Sequence, residues 1–131
     1  MSNSPKFRVK RRLQRLRRLN RIARRSGAPS DRAVYDEAVY RSARASARSP
    51  EVQQYAATLG IGLVTDVVAF IDALYRQSSG DPRQRIWEHV SALQYAATRG
   101  RRSADVLSYI RSKGGLKNCA SRMARKRAKL S

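Results

Sequence analysis

The sequence predicts an all-α chain, and three observations carry that prediction. Apolar residues recur at steps of three and four along most of the 131 residues. Strict alternation of the kind a half-buried strand shows is absent. The periodic segments are separated by Ser-Gly, Ser-Pro, Gly-Asp-Pro and Gly-Gly breaks. A chain of this length supports one domain with a modest core.

The first periodic segment spans residues 6–25. Val9, Leu13, Leu16 and Ala23 fall at helical spacing, with Leu19 and Ile22 beside them and Arg at most other positions. Repulsion within such a basic helix predicts full folding only when a ligand relieves it. An acid-free amphipathic stretch is also the form of a mitochondrial presequence; here it is expected to stay on the chain. Ser26-Gly27-Ala28-Pro29 ends it. A second helix is expected from about Arg32 to Ala45, capped by Ser30 or Asp31, with Asp36 and Glu37 near its positive end. Val34, Ala38 and Ala45 line one side, next to Tyr35 and Val39.

Ser49-Pro50-Glu51 is a strong start signal: a capping hydroxyl, proline at the first helical position, then an acid. Val52, Tyr55, Leu59, Leu63, Val67, Phe70 and Leu74 follow at steps of three and four, and a second stripe runs from Ala57 to Tyr75. The pattern predicts a continuous helix from Pro50 to Gln77, with two shorter helices broken at Gly60 and Gly62 as the alternative. After Ser78-Ser79-Gly80-Asp81-Pro82, a short helix is expected from Ile86 to Thr98, ended by Gly100. Ser103 caps another that reaches Lys113, and Leu116 to Leu130 reads as a basic tail beyond Gly114-Gly115. Gln54-Tyr55-Ala56-Ala57-Thr58 recurs at Gln94 to Thr98, at the start of one helix and the end of another, which points to shared helix-forming composition rather than duplication.

Charge says most about function. Twenty-nine basic residues oppose nine acidic ones, a formal net charge of +20. Residues 1–30 hold eleven basic residues and no acid, and residues 106–131 hold eight and no acid. The span between them is nearly neutral. A folded body between cationic arms predicts a polyanionic partner, and nucleic acid is the commonest. Arginine outnumbers lysine 23 to 6, which suits phosphate and minor-groove contacts but is also what GC-rich codons produce.

The residues offer little chemistry for an enzyme. His89 is the single histidine and has no cysteine at metal-like spacing; it is expected to pack or to lie on a helix surface. The acids are scattered, and Gly60-Ile61-Gly62 follows no strand and precedes no Lys-Ser/Thr. Cys119 stands alone, so no internal disulfide or cysteine zinc site is possible. Trp87 and the tyrosines sit among apolar residues and read as core before base-stacking platforms. The expectation is a binding protein that is not an enzyme, with no cofactor, membrane partner or small-molecule substrate.

The order of basic arm, Tyr-bearing first helix, long central helix, short third helix and C-terminal helix resembles a core histone, most of all the two-B type. Val34-Tyr35 with Ser49 fourteen residues later resembles that family's first helix and loop. Val64-Thr65-Asp66-Val67 resembles the middle of its central helix, and Arg83 and Arg85 before Ile86 resemble its basic second loop. Gly100, Ser112-Lys113-Gly114 and Lys117 resemble its turn into, and course through, the extra helix. The chain departs from the pattern at Gly80-Asp81-Pro82 in the second loop. It departs again at Arg101 and Lys113, where the family has glutamates of an acidic patch.

The resemblance implies a histone fold over residues 30–99, with residues 1–29 as a basic arm and residues 100–131 as a C-terminal helix and tail. It implies a DNA-packaging subunit of a nucleosome-like particle, paired with a two-A-type histone and then other core histones. Its place would be the nucleus or chromatin, or a virion if the source is viral. Double-stranded DNA would be held without sequence specificity by Arg21, Arg24, Arg25, Arg32, Arg48, Ser49, Arg83 and Arg85. The dimer core would be Tyr35, Val39, Leu59, Leu63, Val67, Phe70 and Leu74. The competing expectation is an RNA-binding ribosomal or nucleocapsid structural protein, which needs no such pairing.

Overall fold

A computed structural model describes residues 5–58 and 66–130. They form seven α-helices: α1 (Pro5–Ser26), α2 (Pro29–Ala47), α3 (Pro50–Thr58), α4 (Val67–Ser79), α5 (Arg83–Thr98), α6 (Val106–Ser112) and α7 (Leu116–Leu130). A short 3-10 turn, Ser103–Asp105, leads into α6. There is no strand among the described residues, as the missing alternation predicts.

α1 and α2 make an antiparallel hairpin. Gly27, at φ 64°, donates its N–H to the Ala23 carbonyl and turns the chain in two residues. α2 starts earlier than its capping residues suggest. Ala28, in extended backbone, takes the N-cap position with no side-chain cap, and Pro29 opens the helix. Proline is preorganised for that first position and has no N–H to leave unsatisfied, so Ser30 and Asp31 become first-turn residues. Ser49 caps α3 as the Ser-Pro-Glu pattern predicts, its Oγ accepting the Val52 N–H at 3.3 Å.

The continuous helix expected from Pro50 to Gln77 is not formed. Asp66 lies in extended backbone (φ −126°, ψ 163°), and its carboxylate accepts the Ala69 N–H at 2.8 Å, capping a new helix. Aspartate is among the best N-cap residues, and the two preceding glycines weaken any helix running into it. Leu59 and Leu63 of the expected dimer core, with Gly60 and Gly62, lie outside the described residues. The second correction is at the C-terminus. Leu116 to Leu130 is a helix rather than a tail, and Cys119, Ala120 and Met123 of α7 are buried.

The helices stack in an order that decides where the charge goes. α1 packs on α2, α3 and α4; α4 and α2 pack on α5; α7 packs on α5 and touches α6. One core runs through all of these layers, from Val9, Leu13 and Leu16 through Tyr35, Val39, Phe70, Ile71 and Leu74 to Val90, Leu93, Val106 and Cys119. Tyr35, Val39, Phe70 and Leu74, expected to wait for a partner, are buried by their own chain, and Val67 is half-buried. α1 is therefore part of the body.

The core contains one buried polar system. Asp36, 3% exposed, accepts the Tyr75 hydroxyl at 2.6 Å and meets His89 Nδ1 at 2.6 Å. Tyr35 packs edge-on against Tyr75, and its hydroxyl lies 2.5 Å from Ser78 Oγ. A carboxylate this deep is tolerable because hydrogen bonds replace its lost hydration. His89 thus packs, as expected, and ties α5 to α2.

Two outcomes are expected. Phe70→Ala should cost about 3–5 kcal/mol in urea unfolding of the chain by itself; a loss under about 1 kcal/mol would mean that Phe70 is not in a tight core. Burial pushes the Tyr35 and Tyr75 phenols up from their ordinary value of 10.0, Asp36 adding to the effect on Tyr75. The unfolded chain then gives up phenolic protons that the folded chain keeps, so this contribution is complete below about pH 10 and falls as pH rises above it. Circular dichroism against pH should show an alkaline loss of helix, shallower in Tyr75→Phe. An equal pH slope in the variant would remove Tyr75 from the account.

Candidate nucleic-acid interface

The burial of Val9, Leu13, Leu16, Asn20 and Ala23 on one side of α1 sets which cations face outward. At 100° per residue the opposite side carries Arg11, Arg15, Arg18, Arg21 and Arg25, all exposed. Among the described residues no ion pair engages any of these five. Side chains from Arg8 to Arg21, including Arg11, Arg12, Gln14, Arg15 and Arg18, line an open surface hollow of about 570 Å³. From Arg11 to Arg25 the row runs over roughly 21 Å of the 22-residue helix.

The edges of the row are anchored to the body. Arg12 is half-buried and donates to Ser46 Oγ at 3.2 Å. Burial, and then the neighbouring Arg8, lower its pKa from the ordinary value, which records how crowded these cations are. Arg8 reaches Glu51 at 3.5 Å. These contacts put the start of α1 beside the end of α2.

The residues expected to hold DNA separate into two groups. Arg24 pairs with Asp81 at 2.8 Å, and Arg85 lies 4.0 Å from the same carboxylate, which is 8% exposed. Arg32 donates to Asn20 Oδ1 at 3.0 Å and lies over the Tyr35 ring; Asn20 in turn donates to the Ser79 carbonyl at 3.4 Å. The end of α1, the start of α2 and the loop before α5 are thereby held together, with Arg24, Arg32 and Arg85 committed to internal contacts. Arg83 is exposed at the first position of α5. Arg48 and Ser49 lie at the other end of the hairpin, Arg48 exposed and Ser49 occupied in capping α3.

Arg11, Arg15 and Arg18 were not among the expected contacts, although the apolar stripe points away from them. The basic arm expected over residues 106–131 forms a second basic surface, none of whose residues was named as a contact. On α7 the side away from Cys119, Ala120 and Met123 carries exposed Lys117, Arg125 and Lys129. Arg127 turns inward to Ser91 and Gln94. Beside α7, Tyr95 stacks on Tyr109, and Arg101 and Lys113 lie over the Tyr109 ring at 5.0 and 5.8 Å. The hydrogen bond from Arg122 lowers the Tyr95 pKa. Arg101 and Lys113 therefore flank one aromatic, with Asp105 one turn away and paired with Arg102.

Cys119 is buried, and burial raises its thiol pKa. No group of three or more His, Cys, Asp or Glu side chains placed to hold a metal ion occurs among the described residues. No described helix is long and apolar enough to cross a membrane. Comparison with known proteins finds no matching family model, no similar curated protein and no similar solved structure.

Asp81→Asn should free Arg24 and Arg85. The expected result is a loss of roughly 1–2 kcal/mol of stability, small because both arginines are largely exposed. The salt dependence of DNA binding should steepen by about one to two charges. Lost stability with an unchanged salt slope would place both arginines outside the interface.

Proposed function

We propose that this chain binds double-stranded DNA along its phosphate backbone, without reading sequence, as a packaging protein. The observation that carries the reading is the outward row of Arg11, Arg15, Arg18, Arg21 and Arg25, free of ion pairs among the described residues. Guanidinium groups fork onto phosphate oxygens, and backbone contacts of this kind supply affinity without sequence information.

The placement of most described aromatic rings favours a duplex over a single strand. Binding to single strands relies on aromatic faces offered to bases. Here Tyr35, Tyr40 and Tyr75 are buried and Tyr95 and Tyr109 face each other, although Phe7 and Trp87, the latter expected in the core, are exposed.

The histone-like reading is the partnered form of the same function, in which a two-A-type histone completes the core. The self-contained form is favoured because Tyr35, Val39, Phe70 and Leu74 are already buried, and because Asp66 starts a new helix where crossed central helices need a continuous one. An RNA-binding structural protein would use the same cations and differs in its preferred duplex.

If six to ten phosphates are contacted, duplex affinity should fall about 10³–10⁵-fold between 50 and 200 mM salt and change little when the sequence is scrambled. Replacing Arg11, Arg15 and Arg18 by Ala together should flatten the log–log salt slope by about 2.7. Arg41→Ala, which removes only an exposed pair with Glu37, should leave the slope nearly unchanged. Salt-insensitive binding, or strong preference for one sequence, would contradict the reading. Tighter binding to duplex RNA than to DNA would move it to the RNA-binding form.

A further inference from the structure

The two basic helices do not share a surface. α1 packs on α2, α3 and α4, α7 packs on α5 and α6, and α1 touches neither α5 nor α7. The shortest packed path between them runs α1–α4–α5–α7. With no backbone approach within 8 Å between α1 and either α5 or α7, the two helices lie farther apart than the Debye length of roughly 8 Å at physiological salt. Each helix turns its apolar side inward, Leu13 and Leu16 on α1 and Cys119 and Met123 on α7. Their cations therefore lie on two rows that do not adjoin, with a span between them whose own charges nearly cancel.

A single concave site would gather the basic helices around one groove. Here the fold keeps them two helix layers apart. We infer that each molecule holds two duplex segments at once, one on the α1 row and one on Lys117, Arg125 and Lys129 of α7, and so packs DNA by bridging. This rests on the backbone-binding reading and adds the number of sites. The neutral layers between let both sites fill without direct repulsion at close range. Two weak sites joined in one rigid body also capture a second segment at high local concentration.

The test uses duplex fixed to beads and a second, fluorescent duplex in solution, with the full chain added below saturation. The chain is expected to stay on the beads and to capture the fluorescent duplex. Two triple variants, Arg11→Ala/Arg15→Ala/Arg18→Ala and Lys117→Ala/Arg125→Ala/Lys129→Ala, should both stay on the beads at low salt. Each should lose bridging by at least about tenfold. Alanine is the best helix former, and unchanged circular dichroism would verify the fold of each. Bridging at the original level by either variant would overturn the inference, since one face, in one copy or in paired copies, would then suffice. So would retention of the original chain without capture. Failure of the original chain to stay on the beads would instead overturn the backbone-binding reading itself.

Discussion

The docking of the α1 apolar stripe onto α2, α3 and α4 is the contact on which the rest depends. α1 has about ten like-charge pairs at three- and four-residue spacing, each opposing the helix by roughly 0.2–0.5 kcal/mol, or about 2–5 kcal/mol together. Burying Val9, Leu13 and Leu16 returns roughly 1.5–3 kcal/mol each, as an upper estimate. Burial wins by a modest margin, and salt screening widens it. Because the stripe is fixed inward, the arginines on the other side are fixed outward. The same contact therefore decides both stability and charge display.

The remaining polar contacts keep that arrangement in register. Asp36 ties α2 to α4 through Tyr75 and to α5 through His89. Asp81 ties the end of α1 to the loop before α5. These carboxylates lie within the body, while no acid lies on the outer row of α1 or anywhere in α7. The distribution leaves the two outer helices basic and lets the layers between them pack with little net repulsion.

Much of this was legible in the sequence. Helical periodicity gave the all-α class, Ser49-Pro50-Glu51 gave the start of α3, and the spacing of Val9, Leu13, Leu16 and Ala23 gave the buried side of α1. The break before α4 was harder to see because Asp66 sits inside an unbroken apolar pattern. A capping carboxylate there competes with the helix, and hydropathy does not register the competition. α7 was missed because its buried side is made of small or soft residues, Cys119, Ala120 and Met123, among eight basic residues from position 106 onward. The order and lengths of the segments resemble a core histone, but that pattern does not specify whether the core closes within one chain or between two. Tyr35 and Phe70 suit either burial.

Completion of the core within one chain is what holds the cations outward. Sedimentation equilibrium with circular dichroism, on nucleic-acid-free protein in moderate salt, tests it most directly. A helical monomer that unfolds cooperatively is expected. A chain that is largely unfolded or aggregated alone, and becomes helical only with a second protein, would contradict it.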